Sequence, residues 1–187
     1  MSVIIGIVGE KGAGKETFNI FLQELLPDKT FSVVRFSDTL REMLDVLFIP
    51  HTRKNLQDIA IITNKRFGEG TVTRAVKRKL EKETADIVIL DGVRWLTDAE
   101  MLRTIKDSIL VYITANPQER FERLLKRGDK EGESDMSFEQ FEHEEQKHTE
   151  LFIGQIGQTA DFKIDNNGSF DELKERISQF TKEKLGG

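Results

Sequence analysis

The sequence predicts an α/β fold, a three-layer arrangement in which helices flank a five-stranded parallel sheet. Two observations carry the prediction. Short apolar runs at residues 3–8, 31–36, 86–90, 109–114 and 161–164 have the length of buried strands, and helical patterns separate them. A glycine-rich loop joins the first run to the first helical pattern, as a phosphate-binding strand–loop–helix unit requires. Strands alternating with helices imply parallel pairing, with both faces of the sheet covered.

Taken in order, the run Val3-Ile-Ile-Gly-Ile-Val8 reads as a buried strand. The next segment sets Phe18, Phe21, Leu22, Leu25 and Leu26 on one helical face. Residues 39–82 are mostly helical, and Phe67-Gly68-Glu69-Gly70 breaks them into two arms. A helix is predicted over 117–126, opened by Pro117 and followed by a polar stretch, 127–137, with the composition of a flap. The stripe Phe170, Leu173, Ile177 and Phe180 predicts a last helix packed on the sheet.

The bulk numbers set limits. A chain of 187 residues suits one domain, 1–187. Its net charge of −5 argues against a nucleic-acid binder. With no cysteine there is no disulfide or thiolate metal site. The six-residue first run is too short for a signal peptide or membrane span, so the expectation is a cytoplasmic protein with no membrane partner. The oligomeric state is not readable from these features.

The loop reads Gly9-Glu-Lys11-Gly12-Ala13-Gly14-Lys15-Glu16-Thr17. Glycines let backbone N–H groups converge on an anion, the helix N-terminus adds partial positive charge, and Lys15 adds a full one. The common pattern puts Ser or Thr after the lysine to ligate Mg²⁺; here Glu16 stands there and Thr17 follows. A carboxylate beside phosphates repels them, so Glu16 is expected to point away or to face a metal through water.

In parallel sheets ligands bind at the carboxyl ends of strands. Ser37-Asp38, Asp91-Gly92-Val93-Arg94, Thr114 to Pro117 and Asn166-Asn167-Gly168 stand at such ends. Asp91 either holds hydrated Mg²⁺ or caps the turn with Gly92. Asp38 is a candidate for the metal or acceptor and equally an N-cap for a helix beginning at Thr39. Arg41, Arg94, Arg123 and Arg127 supply the fork-shaped cations that phosphoryl transfer needs; individually each also suits a solvated face, paired with Glu119 or Glu122 on the later helix. Arg120 lies three before Arg123. Trp95 reads as a core or rim residue, and the basic run 74–82 as a solvated face of which Arg74 alone is a candidate for the acceptor pocket. His143 and His148, five apart, are read as solvated rather than as a zinc pair.

These motifs together resemble the nucleoside and deoxynucleoside monophosphate kinases, the adenylate-kinase-like phosphate-loop kinases, and the related dephospho-CoA-kinase-like group. The loop resembles G-x-P-G-A-G-K-G-T, a family pattern that also lacks a hydroxyl directly after the lysine. Ser37-Asp38-Thr39-Leu40-Arg41 is similar to G-D-x-L-R, Leu90-Asp91-Gly92-Val93-Arg94 to D-G-F-P-R, and Arg123-Leu-Leu-Lys-Arg127 to the R-x-x-x-R pair before the lid. The resemblance implies ATP and Mg²⁺ as cofactors and a small phosphate-bearing acceptor as partner. It implies ATP contacts from Gly9, Lys11, Gly12, Ala13, Gly14, Lys15, Glu16 and Thr17, from Arg123 and Arg127, and from Asn167 and Gly168 near the base. Asp38, Arg41, Arg74 and Arg94 would meet the acceptor within a helical region, 39–83. Asp91 would serve the metal, with Asp38 and Glu16 as further candidates. Lys15, Asp91, Arg94, Arg123 and Arg127 would carry catalysis, an in-line transfer without a covalent intermediate. The chain departs from the family in a short lid-like segment, 127–150, that has no arginine beyond Arg127 and offers Lys130 and Lys147. A dephospho-CoA or other metabolite kinase, with Asp38 as base, and an ATPase module without an acceptor are the alternative expectations.

Overall fold

The computed structural model describes residues 2–127, 136–146 and 150–186. Five strands, β1 (Val3–Val8), β2 (Phe31–Arg35), β3 (Ile87–Asp91), β4 (Ser108–Thr114) and β5 (Phe162–Asp165), form one parallel sheet in the order β2-β3-β1-β4-β5. β1 is central: Ile5 registers with Ile89 on one side and with Ile109 on the other. The loop leaving β1 is therefore flanked by those leaving β3 and β4.

Both faces of the sheet are covered, which is why the strands read as unbroken apolar runs. Side chains alternate between two cores. Ile4, Val8, Val88 and Leu90 pack with α4 (Thr71–Leu80), α5 (Leu96–Arg103) and α8 (Ile153–Gln158) through Val76, Leu80, Leu102 and Ile156. Ile5, Ile7, Ile89 and Ile113 pack with α1 (Lys15–Leu25) and α9 (Phe170–Phe180) through Phe18, Leu22, Ile177 and Phe180. The Phe18 and Phe180 rings meet at 5.7 Å between centroids. Each fully buried side chain of this kind contributes about 1.5–3 kcal/mol. α9 opens with a capping box in which Ser169 accepts from the Glu172 amide, and a short π-helical turn, Thr181–Leu185, follows it.

α2 (Phe36–Val46), α3 (Arg53–Phe67) and α4 pack on one another and build the helical region between β2 and β3. Thr52 caps α3 through the Asn55 amide, and the expected break at Phe67–Gly70 ends α3 and starts α4. α6 (Pro117–Arg127) and α7 (Phe138–Glu145) meet through Phe121, Phe138 and Phe141, with ring centroids 5.4–5.9 Å apart. Among the described residues, no helix is long and apolar enough to cross a membrane.

Several boundaries differ from the sequence reading. α2 begins at Phe36, with Arg35 in the N-cap position, so Asp38 is a first-turn residue and not a cap. The cause is Phe36, whose ring is buried in the core and draws the helix start forward. β3 and β5 extend one residue further, because Asp91 and Asp165 still pair with Ile7 and Thr114. Most of the flap (128–135), together with Lys130, Lys147 and His148 of the lid-like segment, lies outside the described residues.

Candidate functional site

A cavity of about 1250 Å³ opens at the carboxyl edge of the sheet, between the loop after β1, the α2–α4 region and α6. Its floor is the glycine loop. Gly12 (φ 73°) and Gly14 (φ 100°) are left-handed, and each is also crowded: a Cβ on Gly12 would lie 2.5 Å from the Arg120 carbonyl oxygen, and one on Gly14 2.3 Å from Asn166 Nδ2. The loop is braced from below. Asn166 Nδ2 donates to the Ala13 carbonyl at 2.8 Å, Arg120 Nη1 to the Lys11 carbonyl at 3.3 Å, and the Tyr112 hydroxyl to the Glu10 carboxylate. α1 starts without a side-chain cap, so its first-turn amides are left for an anion.

Lys15 is partly buried at the cavity floor, and its ammonium donates to the carbonyls of Gly9 at 2.6 Å and Glu10 at 2.8 Å. Burial, reinforced by the nearby Arg94 charge, pushes its pKa down to about 8, while Asp91, Glu150 and Glu10 oppose the shift. Lys11 is also lowered, chiefly by burial, against a hydrogen bond from its ammonium to Glu144.

On the side facing α2–α4, Arg41 donates to Ser37 Oγ at 3.0 Å and Asp38 Oδ1 at 2.7 Å. Arg94 pairs with Glu150, whose side chain is 6% exposed. Asp91 ends β3 with its carboxylate 3.6 Å from Arg35 Nε. Behind this loop Asp98 is fully buried and accepts from Thr73 Oγ1 at 2.6 Å and from the amides of Arg94 at 3.1 Å and Trp95 at 3.0 Å. Burial raises its pKa to about 6. Trp95 lines the cavity, as a rim residue would. On the side of α6, Arg123 donates through Nη2 to the Asn166 carbonyl at 2.7 Å, and its buried Nη1 has no hydrogen-bond partner among the described residues. Arg127 Nη1 stands 3.6 Å from Glu16 Oε2; the Glu16 side chain is 72% exposed and lines the open cavity.

The structure thus brings Lys11, Gly12, Gly14, Lys15, Glu16, Thr17, Arg41, Asp91, Arg94, Arg123, Arg127 and Gly168 to one cavity wall. Gly9 and Ala13 belong to the loop backbone behind it. Three expected residues do not reach it. Asp38 spends its carboxylate on Arg41 and, at 3.9 Å, on Arg35. Arg74 folds back onto the Glu69 carbonyl and Thr71 Oγ1 at the start of its own helix. Asn167 caps a turn, accepting from the Asn116 amide at 2.7 Å and donating to Asp165.

Sequence reasoning did not single out Asp98, Glu144, Glu145 and Glu150; it placed Asn166 at a strand end and Arg120 beside Arg123 without the contacts they make to the loop. For Arg120 a signal existed: it precedes Leu124 by four and shares its buried face on α6.

Among the described residues, no three His, Cys, Asp or Glu side chains converge as a metal cage. Mg²⁺ does not ask for one: it keeps waters and binds through one or two carboxylates plus substrate phosphates. Asp91, a carboxylate on the cavity wall that acts electrostatically on Lys15, fits that use.

The family described as AAA domain matches residues 5–148. A UPF0200 protein of Sulfurisphaera tokodaii is 30% identical over 184 residues, covering 97% of each chain. Among solved structures, TT1252 from Thermus thermophilus superposes with a TM-score of 0.60 at 18% identity, covering 100% of this chain and 99% of that one. Shikimate kinase from Bacteroides thetaiotaomicron superposes with a TM-score of 0.62 at 12% identity, covering 96% and 97%. At such identities the likeness is one of fold.

Proposed function

The chain belongs to the AAA domain family and to the UPF0200 proteins, and from that premise we propose that it is an ATP-dependent phosphotransferase acting on a nucleoside or deoxynucleoside monophosphate. The observation that carries the reading is that Arg41 and Arg94 line the same cavity as Lys15. A phosphate loop by itself holds a donor. Two further guanidinium groups across the same space supply charge for a second, acceptor phosphate.

In this reading Lys15 and the loop amides hold the donor phosphates, and Arg123 Nη1, which has no hydrogen-bond partner among the described residues, donates to the same nucleotide. Asp91 would hold hydrated Mg²⁺, which when bound supplies charge neutralisation on the phosphate oxygens. Arg41 and Arg94 exchange Asp38 and Glu150 for the acceptor phosphate and place it in line. An acceptor that is already an anion needs no general base, so positioning and charge stabilisation carry the rate.

A second reading, a metabolite kinase with a hydroxyl acceptor, draws support from the carboxylates already paired with both arginines, and from the fold shared with a shikimate kinase. Because Asp38 lies off the cavity wall, its base would then be Asp91.

Incubation with ATP, Mg²⁺ and a panel of monophosphates and hydroxylated metabolites, with products separated by chromatography, tests both. Transfer to a monophosphate is expected. Transfer to a metabolite alone selects the second reading, and nucleotide binding without transfer to any acceptor overturns both.

A further inference from the structure

Two adjacent carboxylates at the end of α7 reach one residue of the phosphate loop by different routes. Glu144 Oε2 accepts from Lys11 Nζ at 2.9 Å and lies 2.9 Å from Arg53 Nη1. Glu145 instead grips Arg120: its Oε2 accepts from Nη2 at 2.9 Å, and its Oε1 from Nη1. Arg120 is 4% exposed, lies over the Phe141 ring at 5.3 Å, and donates through Nε to the Ala115 carbonyl at 2.9 Å. Its Nη1 reaches the Lys11 carbonyl, and its own carbonyl occupies the space a side chain on Gly12 would take. The loop backbone at Lys11–Gly12 thus rests on Arg120, and the Glu145 fork fixes the plane of that guanidinium.

The two ties differ in what a nucleotide would do to them. The Lys11 ammonium lines the cavity, so an incoming phosphate competes with Glu144 for it. Arg120 is not on the cavity wall; its pairing with Glu145 persists and holds the backbone while the ligand binds. We propose that Glu144 and Glu145 act on the nucleotide site in opposite senses: Glu145, through Arg120, is a positioning residue that keeps the loop in its anion-binding shape, whereas Glu144 occupies the cation that a nucleotide phosphate would engage. The proposal rests on the reading that the loop binds a nucleotide.

The test is calorimetric titration of the full chain with a β,γ-imido ATP analogue and Mg²⁺, for the wild type, Glu144→Gln and Glu145→Gln, with melting temperatures measured alongside. Glu144→Gln removes the charge that competes for Lys11, leaving a neutral acceptor, and is expected to bind about threefold to tenfold tighter. Glu145→Gln leaves a neutral, weaker fork and is expected to bind about tenfold weaker, raising the KM for ATP but not for the acceptor. Should Glu145→Gln fail to fold, Arg120→Lys takes its place, since it keeps the charge and loses the fork. A purely structural role would move both variants the same way, so shifts of one sign, or none, overturn the proposal. A wild-type protein that binds no nucleotide overturns the underlying reading instead.

Discussion

The Lys15 ammonium donates to the carbonyl oxygen of Gly9 at 2.6 Å, so the loop itself holds the cation it would offer to an anion. Burial and Arg94 lower the pKa of Lys15 to about 8, from an ordinary value of 10.5. The folded protein therefore binds fewer protons than the unfolded chain between these values. The cost of the buried charge is present below pH 8 and relieved as pH climbs towards 10.5. A bound phosphate favours the charged form and restores the proton. Nucleotide binding is thus expected to weaken as pH rises through 8, by up to about tenfold per pH unit, with proton uptake on binding. Calorimetry in two buffers of different ionisation heat measures the uptake, and Lys15→Met should abolish it. Binding without uptake at pH 8.5, about half a unit above the shifted value, would contradict the assignment.

Arg41 and Arg94 predict a split between the two substrates. Arg41 is 42% exposed and pairs with Asp38 on its own helix, so Arg41→Ala should leave the melting temperature nearly unchanged. Arg94 is tied to the buried Glu150, so Arg94→Ala should also cost about 1–3 kcal/mol of stability. In the proposed reaction both variants raise the KM for the acceptor by roughly 10- to 100-fold and leave the KM for ATP within about twofold. Initial rates at varied ATP and varied acceptor decide it. A KM change confined to ATP would place these arginines on the donor.

Asp98 makes the stability of the acceptor-side loop depend on pH. Its folded pKa of about 6 exceeds the ordinary 3.8, so its favourable contribution is complete below about 3.8 and lost as pH rises through 6. Asp98→Asn can still accept from the Arg94 and Trp95 amides and donate to Thr73, so denaturant melts should show the pH 4–6 dependence flattened with little loss at pH 7. Asp98→Ala leaves those two amides buried without an acceptor and should cost about 2–4 kcal/mol at pH 7. Equal loss in both variants would mean that the charge itself, rather than the hydrogen bonds, holds the loop.

What could be read in advance followed the range of the interaction. The sheet was legible because Ile87 to Leu90 are buried on both faces, and burial of that kind writes itself as a continuous apolar run. The loop was legible because its glycines answer a local backbone demand. Asp38 was misplaced because Ser-Asp ahead of an apolar stripe imitates an N-cap, while the helix start is set by burial of Phe36, a tertiary cause. Arg120 finds Glu145 25 residues away and Asn166 finds Ala13 153 residues away, so the local pattern showed only an ordinary charge and an ordinary turn residue. The acidic end of α7 likewise reads as a solvated face until the loop is seen against it.

Asn166 ties three parts of the site together and gives the sharpest ordering among variants. Its Nδ2 donates to the Ala13 carbonyl at 2.8 Å, its carbonyl accepts from Arg123 at 2.7 Å, and its amide donates to Thr114 at 2.7 Å. The two backbone contacts survive any side-chain change, so only the brace beneath the loop is altered. Asn166→Ala removes the donor to a buried carbonyl and should cost about 1–3 kcal/mol, with weaker nucleotide binding because the loop beside Gly14 loses its support. Asn166→Asp keeps the shape but aims a carboxylate at the Ala13 carbonyl, beneath a loop meant for phosphates. Repulsion then acts on both the fold and the ligand, so nucleotide affinity should fall below that of the alanine variant. The aspartate would titrate with a raised pKa, so its affinity should partly recover at pH 5, about one unit above the ordinary carboxylate range, whereas that of Asn166→Ala should not. Titrations at the two pH values separate brace from spacer: if alanine and aspartate bind alike at both, Asn166 merely fills space.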